Sequence, residues 1–169
     1  MMKVIETERL VLRRISEAED AEFILDLLNQ PSFVKYIGDR NVRTVEEARQ
    51  YILTRFVASY ERYGYGFYLV EVKENIAPAG ICGLIKRDQL PDADIGFAFL
   101  PDYWSQGYAF ESAQAVMNYA ENVLKLKRIL AITTKDNESS GKLLNKIGLK
   151  FERLIHLNEE ELKLFSVDF

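Results

Sequence analysis

Ala93-Asp94-Ile95-Gly96-Phe97-Ala98-Phe99-Leu100-Pro101-Asp102-Tyr103-Trp104-Ser105-Gln106-Gly107-Tyr108-Ala109-Phe110-Glu111 is the stretch from which the fold can be read. Ala93 to Leu100 has the apolar, β-branched and aromatic character of a strand, and Pro101-Asp102 punctuates it. From about Gly107 the apolar residues Ala109, Ala113, Val116, Met117, Ala120, Val123 and Leu124 recur with a 3.6-residue period, which predicts a long helix. A strand therefore ends, a turn follows, and a helix opens on small residues. The first backbone N–H groups of a helix have no partner inside it, and together with the helix dipole they attract phosphate. Gly107 and Ala109 keep side chains out of the way of such an anion.

Outward from this stretch the pattern stays regular. Downstream, Arg128 to Thr134 reads as a buried strand. Asn137 to Ile147 reads as a short helix with Asn137 as N-cap and Gly148 as its stop. Leu149 to Leu157 and Glu161 to Asp168 flank Asn158-Glu159-Glu160 as a hairpin. Upstream, Phe67 to Lys73 and Ala79 to Lys86 are further strands. The chain starts with a strand from Val4 to Ile15. Ser16 and Glu19 then form a capping-box pattern before a helix that carries Ile24, Leu27 and Leu28 and stops before Pro31. Pro31 to Arg43 reads as a polar connection. Thr44 and Glu47 open a second helix with Val45, Ala48, Ile52 and Phe56 on one face. The order β-α-α-β-β-β-α-β-α-β-β predicts an α/β (α+β) mixed sheet with helices on its faces, not a doubly wound dinucleotide fold. No repeat, linker or low-complexity tract divides residues 1–169, so one domain is expected.

Several function classes drop out on composition. A chain of 169 residues buries roughly 70% of its unfolded surface and needs neither disulfide nor metal for a core. The one cysteine, Cys82, lies in an apolar strand and reads as a buried, inert thiol in a reducing, cytoplasmic setting. No signal-peptide pattern and no apolar run near ~18 residues is present, so neither export nor a membrane partner is expected. The net charge of −4 weighs against nucleic acid and suits a cationic substrate such as an amine. A lone histidine, His156, cannot supply a usual zinc site or a plausible triad, and reads as structural. Gly141-Lys142-Leu143 lacks the residues of a P-loop, and neither Gly-x-Gly-x-x-Gly after a strand nor Gly-x-Ser-x-Gly occurs. No metal is expected.

Four segments, in order and spanning nearly the whole chain, resemble the GNAT superfamily of N-acetyltransferases, specifically its RimJ/RimL-like branch of ribosomal-protein N-terminal acetyltransferases. They are Ile5-Glu6-Thr7-Glu8-Arg9-Leu10-Val11-Leu12-Arg13, Ala93-Asp94-Ile95-Gly96-Phe97, Tyr103-Trp104-Ser105-Gln106-Gly107-Tyr108-Ala109, and Asn137-Glu138-Ser139-Ser140 running on to Leu143, Leu144, Lys146, Ile147, Gly148 and Leu149. Three positions depart from the family pattern. Ser105 and Phe110 stand where the branch often has glycine and a small or polar residue. Leu144 stands where the wider family often has the tyrosine that protonates the departing thiolate.

The resemblance implies a mostly antiparallel central sheet splayed between its fourth and fifth strands, and acetyl-CoA as co-substrate. The pantetheine arm would lie in the gap near Phe99 and Leu100, touching Asn137. The pyrophosphate would lie over the amides from Gln106 through Gly107, Tyr108 and Ala109 to Phe110. It also implies Asp94 as general base and Ser140 as the group serving the thiolate. An oxyanion donor is expected near Leu100, and Glu71 on a neighbouring strand is the reserve base. The acceptor would rest against Pro31 to Arg43, with Phe33 and Tyr36 as apolar walls. The expected partner is an amine, foremost a protein amino terminus; a small amine and a non-catalytic acyl-CoA sensor stay open, as does the choice between monomer and homodimer.

Overall fold

A computed structural model describes residues 2–169. Eight strands form one sheet: β1 (Lys3–Glu6), β2 (Leu10–Arg14), β3 (Phe67–Val72), β4 (Ala77–Ile85), β5 (Asp94–Phe99), β6 (Arg128–Thr134), β7 (Lys150–Leu157) and β8 (Glu160–Asp168). Their spatial order is β1-β2-β3-β4-β5-β6-β8-β7. Every neighbouring pair is antiparallel except β5 and β6, which run parallel and pair only at Asp94↔Leu130. The expected mixed sheet, splayed between the strands that hold Asp94 and Leu130, is what the chain builds.

Helices cover both faces. Cys82 pairs with Tyr68, whose ring meets Tyr119 of α5 (Tyr108–Asn122) edge-on at 6.5 Å, so α5 lies on that face. Side chains alternate along a strand, so Phe67 points to the other face. There it meets Phe56 edge-on at 5.9 Å. Phe56 belongs to a continuous helical run: α3 (Val45–Tyr51), a π-helical turn (Ile52–Val57) and α4 (Ala58–Tyr63). This run packs on α1 (Ala21–Leu28), which in turn packs on α2 (Pro31–Tyr36). The last helix, α6 (Glu138–Lys146), rests on β6 and α5. Among the described residues no helix is long and apolar enough to cross a membrane.

Three expectations change. The strand expected over residues 4–15 is the hairpin β1–β2, with Leu10 turning back through its N–H to Thr7 Oγ1 at 3.0 Å. The segment expected as a polar connection from Pro31 holds α2, because proline suits the first turn of a helix as well as it ends the previous one. The helix expected to start at a Ser16–Glu19 capping box starts at Ala21, with Asp20 as the N-cap residue. Asp20 is committed elsewhere: its carboxylate receives both terminal nitrogens of Arg13 at 2.8 Å and the N–H of Ser16 at 2.7 Å. The second capping pattern forms as read, with the Glu47 N–H donating to Thr44 Oγ1 at 3.1 Å.

Arg13 is the hub of this corner. Its Nε also lies 3.2 Å from Glu71 Oε2, so one buried guanidinium serves two carboxylates. Neighbouring carboxylates hold the Arg13 guanidinium protonated well beyond its ordinary range, Asp20 most strongly. Glu71 is therefore spent on structure and does not line the cleft described below, which removes it as a reserve base. Removing Arg13 strands two acids, so Arg13→Ala should cost ~3–5 kcal/mol of unfolding free energy in urea denaturation. Breaking the exposed Lys3–Glu6 pair should cost below ~1 kcal/mol. Equal losses for the two variants would show that the Arg13 corner is hydrated.

Candidate active site

Beyond Asp94↔Leu130 the edges of β5 and β6 part, and a cleft of about 730 Å³ occupies the gap and continues over α1–α3. The hydrogen-bond direction along β5 follows from its register. The Leu100 N–H goes to Ala79 O at 2.9 Å, so even-numbered residues of β5 face β4. Ile95, Phe97 and Phe99 then face β6, as the bond from Leu130 N–H to Ala93 O confirms. Phe97 and Phe99 thus present backbone groups to the cleft where β6 has moved away. Leu100 does not: its carbonyl accepts from the Tyr103 N–H, so both its backbone groups are used. The expected donor at Leu100 is therefore absent, and the backbone donors that β5 leaves for the gap are those of Phe97 and Phe99. The Phe99 carbonyl receives Trp104 Nε1 at 2.9 Å, which leaves its N–H for the gap.

At the head of the cleft α5 opens on Gly107, at φ +82° and with no side-chain cap. The first backbone bond of the helix, from the Glu111 N–H to Gly107 O, leaves the amides of Tyr108, Ala109 and Phe110 without intrahelical partners. Ser105 sits at φ +61°, a conformation that favours glycine, which is the physical content of the glycine common there in the family. Gln106 is exposed and its amide nitrogen holds Asp102 O at 3.0 Å, so the side chain braces the turn. Phe110 is exposed on the rim, with Lys146 Nζ 5.9 Å from its ring centre.

A latch around this opening escaped the reading of the sequence. Glu111 accepts from Thr7 Oγ1 at 2.5 Å, the Arg9 N–H at 2.9 Å and Arg9 Nε at 2.7 Å. Arg9 also donates to Gln106 O at 2.8 Å and lies over the Tyr108 ring at 4.5 Å. The β1–β2 turn is thereby tied to the phosphate-type loop, and the charge of Glu111 is cancelled where it would repel an anion. The signal was present in Thr7-Glu8-Arg9, but its partner lies more than 100 residues away.

Asp94 lies at the closed end of the gap with 1% of its surface exposed, and it lines the cleft. Burial pushes its carboxyl up from the ordinary 3.8 to about 6, opposed by Arg87, whose Nε sits 3.0 Å from Oδ2. Since the folded carboxyl binds its proton more tightly than the unfolded one, it lowers stability as pH rises from about 4 to about 6. Gly96, next on the same face, leaves room for Phe67: a Cβ there would lie 2.8 Å from the ring. Across the gap, Ser140 lines the cleft, and its backbone N–H caps on Asn137 Oδ1 at 3.3 Å. The Ser140 hydroxyl has no partner among the described residues. Asn137 is thus the N-cap it was read as, and its side-chain nitrogen has no acceptor among the described residues. Leu144 is 1% exposed and also lines the cleft.

Two further lining residues, Thr133 and Thr134 on β6, have buried hydroxyls without partners. Nothing in their strand-like sequence distinguished them. Phe33 and Tyr36 line the part of the cleft over α1–α3, together with Tyr51, Phe56 and Phe67. His156 is exposed on the edge strand β7 and takes no part. Burial pushes the Cys82 thiol up to about 12, so it stays protonated and inert. Among the described residues no cluster of acids, histidines or cysteines could hold a metal.

Residues 9–150 match the Acetyltransferase (GNAT) domain. The chain belongs to the GNAT family. It is 34% identical over 158 residues to the uncharacterized N-acetyltransferase YoaA of Bacillus subtilis, covering 92% of this chain and 87% of that one. A solved GNAT-family acetyltransferase from Bacillus anthracis superposes with a TM-score of 0.79 at 26% identity, covering 97% of each chain. The ribosomal L7/L12 α-N-protein acetyltransferase RimL, solved with coenzyme A, shares the fold at a TM-score of 0.81 and 19% identity, over 96% of this chain and 95% of that one. This GNAT chain is an acetyl-CoA-dependent N-acetyltransferase. The residues present fit the coenzyme: uncapped amides at the α5 opening, backbone groups of Phe97 and Phe99 facing the gap, and the orphan hydroxyls of Thr133 and Thr134. Gly107→Glu sets a carboxylate where phosphate would bind, so acetyl-CoA affinity by calorimetry should fall roughly 10²–10³-fold. Gly107→Asn tolerates positive φ and should lose far less. Unchanged affinity in a folded Gly107→Glu protein would move the phosphate site elsewhere.

Proposed function

We propose that this GNAT enzyme acetylates the α-amine of a protein amino terminus by direct attack in a ternary complex, as the RimJ/RimL-like branch does, in the cytoplasm. The observation that carries the transfer reading is the Asp94 carboxyl, buried on the cleft wall and raised by that burial to about 6. An α-ammonium titrates near ~8 and a lysine or polyamine ammonium near ~10.4. Handing the proton to Asp94 is then uphill by roughly 2.5 kcal/mol for an α-amine and roughly 6 kcal/mol for a lysine. The inert Cys82 gives no nucleophile for a covalent acyl-enzyme, which supports direct transfer.

Acetyl-CoA supplies an activated thioester carbonyl and a thiolate leaving group. The α5 amides hold the coenzyme's phosphates, with Arg9 neutralising Glu111 behind them. Thr133, Thr134 and the Asn137 amide nitrogen orient the arm along the gap. The N–H of Phe97 or Phe99 stabilises the carbonyl oxygen as charge gathers on it. Asp94 takes the amine proton, and Ser140 Oγ donates a hydrogen bond to the sulfur in place of the tyrosine that Leu144 displaces. Phe33 and Tyr36 wall the acceptor and exclude water.

Release of free thiol from acetyl-CoA, measured across peptides with different amino-terminal residues and across small amines, tests the assignment. Peptide acetylation at the α-amine is expected; binding without any turnover would point to an acyl-CoA sensor. Asp94→Asn keeps the shape and loses the basicity, so turnover at neutral pH should drop ~10²-fold or more. Wild-type activity should fall below pH 6 as Asp94 protonates, and the mutant's deficit should shrink as pH approaches the amine's own value. An equal deficit at every pH would make Asp94 a positioning residue. Ser140→Ala should lower turnover by up to ~10²-fold with nearly constant coenzyme affinity. Full turnover would return the thiolate's proton to water.

A further inference from the structure

The acceptor half of the cleft contains two arginines, Arg40 just beyond α2 and Arg87 between β4 and β5. Arg40 is exposed and has no carboxylate within ion-pair distance among the described residues. The nearby acid, Asp39, is taken by Arg43 at 2.6 Å. Arg87 spends only Nε, on Asp94 at 3.0 Å, and neither of its terminal nitrogens has a hydrogen-bond partner among the described residues. Two carboxylates line the same cleft. Asp94 is already engaged by Arg87, and Glu160 is the first residue of β8. The rest of that half is aromatic or aliphatic, with Gln30 and Ser32 as neutral polar groups.

This arrangement is wrong for a polyamine, whose second ammonium would have to sit among guanidinium groups. It suits an acceptor whose amine has an anion close by. A planar fork with free terminal nitrogens pairs with a carboxylate through two parallel hydrogen bonds. Because Arg87 touches the proposed base, a group bound to its free edge lies within about one residue of the attacking amine.

Resting on the reading of this cleft as an amine site, we propose that the acceptor carries a carboxylate beside its amine, received by Arg87 and Arg40. The substrate is an acidic amino terminus. Arg87 sets the first carboxylate, and Arg40, farther out and solvated, favours acid at the next residues. The aromatic walls hold the intervening backbone.

The test compares kcat/KM for peptides identical except for Asp, Asn or Lys at the first or the second residue, with free aspartate and spermidine as small acceptors. Asp is expected to exceed Lys by at least ~10-fold, one charge-assisted contact. Arg40→Gln should reduce that preference several-fold, lowering kcat/KM for the Asp peptide more than for the Asn peptide. Arg87→Lys should retain part of the preference that Arg87→Gln loses. Free aspartate taken as well as the peptide would also uphold the carboxylate, with a small amino acid as its source. Equal rates for the Asp and Lys peptides, better use of spermidine, or a preference untouched in both glutamine variants would overturn the inference and leave the transferase intact. Acetyl-CoA binding with no acceptor acetylated would overturn the transfer reading and this one together.

Discussion

β5 and β6 run side by side yet hold hands only once, at Asp94 and Leu130. Unpaired backbone groups inside a protein cost free energy, so a sheet that opens in its middle needs compensation. Here the compensation is local and partial. The Leu100 N–H turns to Ala79, the Leu100 carbonyl takes Tyr103, and Trp104 reaches back to Phe99. What stays unpaired faces the cleft, along with the hydroxyls of Thr133 and Thr134. In the proposed reading these leftover donors serve a thioester arm, and the starts of α5 and α6 both line that opening.

The closed end of the gap sets the electrostatics. Asp94 is buried deeply enough to raise its carboxyl to about 6, and Arg87 keeps it from rising further. A carboxylate in water would be too weak a base for an ammonium, and a fully neutralised one would be no base at all. Position at the last paired residue, with one guanidinium beside it, places Asp94 between those limits, as its proposed role as base requires. The same guanidinium keeps both terminal nitrogens without a hydrogen-bond partner among the described residues, which is the edge offered to the proposed acceptor. By contrast, the Arg13–Asp20–Glu71 cluster uses similar groups to close a corner of the core, with no opening to the cleft.

Much of this was legible along the chain because the relevant patterns are local. The 3.6-residue period after Gly107, the strand ending at Leu100 and the cap at Asn137 each depend on residues within a few positions of one another. Pro31 shows the limit: the same residue ends one helix and begins another, and only the packing of Phe33 into the core decides for α2. Ser16-x-x-Glu19 failed because Ser16 closes a turn ahead of the helix, its hydroxyl accepting from the Ala18 N–H at 3.3 Å and its carbonyl from the Asp20 N–H at 2.9 Å.

The sequence by itself determined the order of elements, the mixed sheet, the phosphate-type opening of α5 and the positions of Asp94 and Ser140 along the chain. These follow from periodicity, turn chemistry and short motifs, all set by near neighbours. Only the tertiary structure decided that Glu71 is bound to Arg13, that Leu100 has no N–H to offer, that Thr7 and Arg9 lock onto Glu111, and that Arg40 and Arg87 share a cleft. Each of those depends on groups far apart in sequence meeting in space, and on which side of a strand its backbone donors fall. Hydrogen-bond direction and charge pairing carry no period along a chain; packing alone assigns them.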